Sequence, residues 1–187
     1  MNILSIGASN SSNSINKQFA TWTAKQLAGA EVKTIDLNDY EMPIYSMDRE
    51  KVTGIPEEAV AFKHEIDTAD GMIISFAEYN GSYSSAYKNI LDWVSRLGGP
   101  IWSDKPVLLL ATSPGPRGAQ MVLSTSATLF PHHGARVAGT FSLPSFSQNF
   151  DNGITNEDLK NDLFRQLNSF QELVHSDIGK LAETNHH

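Results

Sequence analysis

The sequence predicts an α/β protein built on a doubly wound, five-stranded parallel sheet with helices on both faces. Two observations lead to this prediction. Five short apolar segments have the length of strands, and amphipathic helical patterns separate most of them. Strands that alternate with helices favour a parallel sheet covered on both sides. Five such strands are expected in the spatial order 2-1-3-4-5, which places a ligand crevice between the first and third strands.

The predicted elements follow one another along the whole chain. Strands are expected at 2–7, 31–36, 71–76, 106–111 and 135–140. Helices are expected at 14–28, 57–69, 84–97, 118–130 and 156–174. The last helix repeats apolar residues every three or four positions, and Thr155 with Asp158 resembles a capping box at its start. Two segments, 37–54 and 141–154, look irregular and long enough to be functional loops or partner contacts.

Composition and charge limit the classes of partner. The 187 residues fit one domain, expected at 1–178, and the tail at 179–187 ends in His-His, as a remnant of an affinity tag would. A net charge of −7 argues against nucleic-acid binding. The chain has no cysteine, no apolar run of about 20 residues and no signal-peptide pattern. We therefore expect a cytoplasmic protein with no membrane partner.

The loop after the first strand has the composition of a phosphate-binding loop. Ser9, Ser11, Ser12 and Ser14 offer hydroxyl groups, and the following helix N-terminus offers free N–H groups and about half a positive charge. The loop lacks the Gly-Lys-Ser/Thr of a Walker motif and the G-x-G-x-x-G of dinucleotide folds. A terminal phosphate monoester is the ligand that this loop favours; simple capping of the helix is the alternative.

The turn at 77–83 follows the buried third strand and precedes an amphipathic helix. It offers backbone N–H groups, an aromatic edge and one carboxylate, but no obvious nucleophile. A third loop, at 112–118, contains two prolines and two glycines and allows a ligand to approach the main chain closely. Because the carboxyl ends of parallel strands lie at one edge of the sheet, we expect the three loops to form one crevice.

These loops together resemble the NADPH-dependent FMN reductase family of flavodoxin-like proteins, which includes quinone, azo and chromate reductases. The family's first loop, G-S-x-R-x-x-S-x-N, is matched by residues 8–16. Its second motif, P-E-Y-N-G-S followed by K-N-x-x-D-W, is matched by 77–82, 88–89 and 92–93. The segment at 36–48 is also similar, so the resemblance covers about residues 2–140. Two departures from the family matter for the site: Ser11 stands where an arginine is usual, and Ala77 where a proline is usual.

The resemblance implies bound FMN, reduction by NADPH or NADH, and a small-molecule electron acceptor. It implies a phosphate site at Ser9, Ser11, Ser14, Ile15 and Asn16. It further implies a flavin-ring site at Ala77, Glu78, Tyr79, Asn80 and Gly81, with Ser113, Pro114 and Gly115 at the other polar edge. No acid–base catalytic residue is expected, because the cofactor carries the chemistry.

Several alternatives stay open at this stage. The protein is either such a reductase, a flavodoxin-like one-electron carrier, or a phosphate-binding protein that has kept only the fold. Glu78 is expected to pair with an arginine, of this chain or of a neighbouring subunit, rather than to take part in catalysis. No metal is expected at His132-His133 because adjacent histidines point apart. The apolar helix at 84–97 and the following turn offer more hydrophobic surface than one sheet face needs, and the resemblance implies that this is a subunit surface of a homodimer or homotetramer.

Overall fold

The computed structural model describes residues 1–184, which form one five-stranded parallel sheet with helices on both faces. The strands are β1 (Asn2–Ala8), β2 (Glu31–Ile35), β3 (Gly71–Phe76), β4 (Lys105–Thr112) and β5 (Ala135–Leu143). Their spatial order is β2-β1-β3-β4-β5. This confirms the predicted flavodoxin-like order, in which β1 lies between β2 and β3.

Two hydrophobic cores lie on opposite faces of this sheet. The helices are α1 (Ile15–Ala24), α2 (Met47–Thr53), α3 (Glu57–Thr68), α4 (Ser85–Val94), α5 (Gln120–His132), α6 (Phe146–Asn149) and α7 (Glu157–Thr184). Phe62, Trp93 and Phe130 bring α3, α4 and α5 against one face. Phe19 and Phe170 bring α1 and α7 against the other. Alternate strand residues point to opposite faces, so both cores draw on the same strands.

Two short helices lie in the segments that the sequence indicated as irregular. Helix α2 buries none of its residues, so it has no apolar periodicity to detect. It begins after Ser46, whose hydroxyl accepts the N–H of Arg49 at 3.1 Å. The second short helix, α6, has four residues.

The last helix differs from its prediction at both ends. It begins after Asn156, whose Oδ1 accepts the N–H of Leu159 at 3.1 Å, so the predicted capping by Thr155 was wrong. The hydroxyl of Thr155 instead donates to the carbonyl of Gln148 at 3.3 Å. Helix α7 continues to Thr184, beyond the predicted end at 174. The domain limit at 178 stays a prediction, and residues 185–187 lie outside the described part of the chain.

The chain itself covers much of the apolar face of α4. The indole Nε1 of Trp93 donates to the carbonyl of Pro43 at 2.7 Å, and the ring of Tyr45 packs edge-on against the same indole. Asn89 donates to the carbonyl of Met42 at 3.0 Å and accepts the N–H of Tyr45 at 2.9 Å. The apolar excess that we attributed to a subunit surface therefore packs largely within one chain.

Among residues 1–184, no helix is both long and apolar enough to cross a bilayer.

Candidate functional site

The loops after β1, β3 and β4 meet at the carboxyl edge of the sheet and enclose a cleft of about 350 Å³. The cleft is lined by Ser9, Ser11, Asn13, Ser14, Ile15, Asn16, Ala77, Glu78, Tyr79, Thr112, Ser113 and Pro114. The predicted residues Asn80, Gly81 and Gly115 lie in the same loops but outside this lining. Asn13 and Thr112 line the cleft although the sequence did not single them out as site residues.

The first loop presents the N-terminus of α1 to the cleft. Ser14 is the N-cap, and its hydroxyl accepts the N–H of Lys17 at 3.1 Å. The hydroxyl of Ser9 accepts the N–H of Ser11 at 3.2 Å. Each hydroxyl thus accepts from the backbone and keeps its own proton for a ligand. The N–H of Ile15 and that of Asn16, in the first turn, have no intrahelical partner.

Asn16 ties the first loop to the two central strands. Its side chain is buried, with 3% of its surface exposed. Its Oδ1 accepts from the Ser75 hydroxyl at 2.7 Å and from the Thr112 N–H at 3.2 Å. Its Nδ2 donates to the Thr112 carbonyl at 3.2 Å. Both polar atoms of the Asn16 side chain therefore bond to protein groups, and the side chain is buried, whereas its backbone N–H lies in the first turn of α1.

A close approach of backbones holds α1 against β1. A Cβ on Gly7 would lie 2.4 Å from the Cα of Lys17, which only glycine avoids. Lys17 itself forms an ion pair with Asp36 at the end of β2. Hydrogen bonding from the Lys17 ammonium lowers the pKa of Asp36 to about 2, and the Asn38 backbone N–H contributes. The Lys17 ammonium thus contacts Asp36 at the end of β2 and not the cleft. No lysine or arginine is among the residues that line the cleft.

The turn after β3 is a tight reversal. Tyr79 and Ser82 exchange backbone hydrogen bonds of 2.9 and 3.0 Å. Asn80 and Gly81 both have positive φ, 52° and 76°, as the two central residues of a type I′ turn require. Tyr79 is half-exposed beside the cleft, and Ala77 is buried at its base.

Glu78 lines the cleft and contacts the helix that follows the third loop. Its Oε2 accepts the N–H of Val122 in the first turn of α5 at 3.0 Å. The partner of Glu78 within the described chain is therefore a helix N-terminus and not an arginine; pairing with an arginine of a neighbouring subunit stays a prediction.

The third loop is anchored to the segment after β5. The carbonyls of Ser113 and Gly115 accept the N–H groups of Phe146 and Ser145 at 3.1 and 2.9 Å. The hydroxyl of Ser113 donates to the Gly115 carbonyl at 3.2 Å. Each of the three loops is therefore held by hydrogen bonds to another part of the fold: to β3 and β4, to α5, and to the segment after β5.

Tyr83 and Tyr87, which follow the turn, pack against the ring of Phe76 and against each other. Burial raises the pKa of Tyr83, and it raises that of the fully buried Tyr87 well above its usual range. The Tyr83 hydroxyl lies 3.0 Å from that of Ser126 in α5. Within residues 1–184, no group of three or more His, Cys, Asp or Glu side chains is arranged to hold a metal ion.

Comparison with known proteins finds similar sequences among curated quinone reductases. A reductase of 2-hydroxy-1,4-benzoquinone from Burkholderia sp is 38% identical over 113 residues, which are 60% of either chain. A quinone reductase of Escherichia coli K12 is 37% identical over 75 residues, 40% of either chain. The chain thus spans 60% or less of the length of these curated relatives.

The fold comparison covers nearly the whole chain. FerB, a flavoenzyme NAD(P)H:(acceptor) oxidoreductase from Paracoccus denitrificans, superimposes with a TM-score of 0.75 at 23% identity. The match covers 94% of this chain and 97% of FerB, and it shows a shared fold. The sequence pattern of the NADPH-dependent FMN reductases matches residues 1–148. Both the three-loop cleft and this match over most of the chain lead to one conclusion: the protein belongs to the NADPH-dependent FMN reductase family.

Proposed function

We propose that the protein binds FMN in the three-loop cleft and acts as an NAD(P)H oxidoreductase that reduces quinone-type acceptors. The observation that carries this proposal is the α1 N-terminus, which opens into the same cleft as the Glu-Tyr-Asn-Gly turn. The family and the curated quinone reductases support it.

The donor groups of the first loop suit the FMN phosphate. Ser9 and Ser14 have free hydroxyl protons, Ser11 adds a third hydroxyl, and Ile15 and Asn16 add backbone N–H groups. Because Ser11 replaces the arginine usual in the family, the phosphate charge would be met by hydrogen bonds and by the helix dipole alone. A helix N-terminus favours a bound phosphate through its free N–H groups and the positive end of its dipole.

The other two loops suit the flavin ring. Ala77 to Gly81 would flank one edge, with the turn holding its backbone N–H groups in place. Ser113, Pro114 and Gly115 would flank the other polar edge, anchored by Ser145 and Phe146. Bound FMN supplies electron transfer from the reduced nicotinamide to the acceptor. The residues of this chain bind the cofactor, orient it and leave one side of the cleft open.

We also propose that the protein acts in the cytoplasm as a homodimer or homotetramer. The exposed apolar side chains Ile44, Met47 and Val52 lie on the outer side of the segment that covers α4, and they support a subunit contact there. Sedimentation equilibrium at micromolar concentration tests the assembly, and a monomeric mass would contradict it.

The decisive test of function is spectroscopic. Purified protein reconstituted with FMN should show a flavin absorption band that bleaches when NADPH or NADH is added without oxygen. Adding a benzoquinone should restore the band and give multiple turnovers. A band with negligible NAD(P)H oxidation would indicate an electron carrier, and no FMN uptake would indicate a protein that has kept only the fold.

A pair of matched serines tests the location of the site. Ser14 and Ser46 each accept one helix N–H at 3.1 Å, but only Ser14 lines the cleft. We expect Ser14→Ala to weaken FMN binding about tenfold, through one lost hydrogen bond to a charged group. Ser46→Ala should leave the affinity unchanged. Equal effects of both variants would place the cofactor elsewhere.

A further inference from the structure

Helix α5 has no cap of its own. Its N-cap residue, Ala119, has a left-handed φ of 59° and no side chain that accepts a hydrogen bond. Serine hydroxyls cap α1, α2 and α4 from within their own segments. A helix N-terminus leaves its first N–H groups without intrahelical partners, so α5 needs an acceptor from elsewhere in the fold.

That acceptor is Glu78, which lies 44 residues earlier in the chain. Its carboxylate oxygen is 3.0 Å from the Val122 nitrogen, in the position of a capping side chain. A carboxylate there also meets the positive end of the helix dipole. The contact joins the turn after β3 to the helix that follows the loop after β4, and both of these loops line the cleft.

Two further contacts make the turn and α5 one unit. The Met121 side chain lies against Gly81, where a Cβ would be 3.1 Å from the Met121 Cε. The Ser126 hydroxyl, one turn further along α5, is 3.0 Å from the Tyr83 hydroxyl. Glu78 is the member of this set that lines the cleft.

We propose that Glu78 is a positioning residue that caps α5 and thereby sets the spacing of the two ring-binding walls. Its carboxylate also occupies the N-terminus of α5. The N-terminus of α1 is then the helix end that offers N–H groups to a phosphate in the cleft. The identity of the ligand rests on the proposed function; the capping of α5 does not. Glu78 acts through the helix and not on the reacting atoms.

Asn156 provides a matched control. It caps α7 by accepting one N–H at 3.1 Å, close to the 3.0 Å of the Glu78 bond, but it does not line the cleft. Glu78→Ala and Asn156→Ala should therefore lower the melting temperature by similar amounts. Only Glu78→Ala should raise the FMN dissociation constant, by about fivefold, which corresponds to one lost cap. Glu78→Gln keeps an acceptor oxygen and should bind FMN within twofold of the wild type.

A readout without cofactor completes the test. Amide hydrogen exchange of Val122 in the apoprotein should accelerate at least tenfold in Glu78→Ala and stay near the wild-type rate in Asn156→Ala. Glu78→Asp, which is shorter by one methylene, replaces the alanine variant if that variant does not fold, and should show the same two changes. Unchanged exchange of Val122, or FMN affinity equal to that of Asn156→Ala, would overturn the proposal. Failure of the wild type to bind FMN would refute the proposed function instead, and the exchange data would still decide the capping.

Discussion

Replacing Asn16 by alanine should destabilise the protein more than any other single change in the first loop. The substitution removes three buried hydrogen bonds and leaves the Ser75 hydroxyl and both backbone groups of Thr112 without their partner. Each unsatisfied buried group costs about 1–3 kcal/mol, and a water that enters the vacated space reduces that cost. Taking about 1 kcal/mol for each group gives a loss of about 3 kcal/mol in the free energy of unfolding.

The assay is denaturant and thermal unfolding of the apoprotein. For a domain of this size, a loss of about 3 kcal/mol corresponds to a fall of about 6–12 °C in the melting temperature. Asn13→Ala is the control, because Asn13 lines the same cleft but is exposed and belongs to the same loop. Its effect should stay within about 0.5 kcal/mol.

A double-mutant cycle tests the contact itself. Ser75→Ala removes one of the two donors to Asn16 Oδ1, and the coupling between the two substitutions should be about 1 kcal/mol. A loss below about 1 kcal/mol in Asn16→Ala, or a coupling near zero, would refute the reasoning that this amide holds the loop to the central strands.

Three further perturbations address neighbouring parts of the cleft. Gly7→Ala would place a methyl group 2.4 Å from the Cα of Lys17, so we expect α1 to shift, stability to fall by about 1–3 kcal/mol and FMN titration to show weakened binding. Gly81→Ala puts a side chain at a φ of 76° and 3.1 Å from Met121, and unfolding should show a loss of about 1–2 kcal/mol. The pKa of Asp36 is lowered from 3.8 to about 2 in the folded protein, so its pairing with Lys17 stabilises the fold above pH 4 and is lost as the pH falls toward 2. Lys17→Met should therefore be less stable than the wild type at pH 6, and the difference should shrink between pH 4 and pH 2; a constant difference would contradict the ion pair.

The sequence contains enough information for the sheet and for the location of the cleft. Hydrophobic runs identify the five strands because buried parallel strands are apolar on both faces. The Asn-Gly pair at 80–81 predicts a tight turn because both central residues must take positive φ. Those signals are local, and local signals can be read from a single chain.

Contacts between distant segments could not be predicted from the sequence in this way. The partner of Glu78 is an N–H group 44 residues away, and a backbone N–H has no signature in a sequence. One clue was available: no Ser, Thr, Asp or Asn stands just before α5. The apolar face of α4 was similarly assigned to another subunit because nothing in the sequence shows that residues 42–45 fold back over it.

The Asn16 network has a consequence for the kinetics of cofactor uptake. Because one buried amide joins the α1 N-terminus to β3 and β4, the groups that we propose to bind the phosphate hold their arrangement before any ligand arrives. Little conformational entropy then remains to be lost on association. We expect association in a single phase whose rate rises linearly with FMN concentration, without a slow ordering step, so that affinity differences among variants of this loop appear mainly in the dissociation rate.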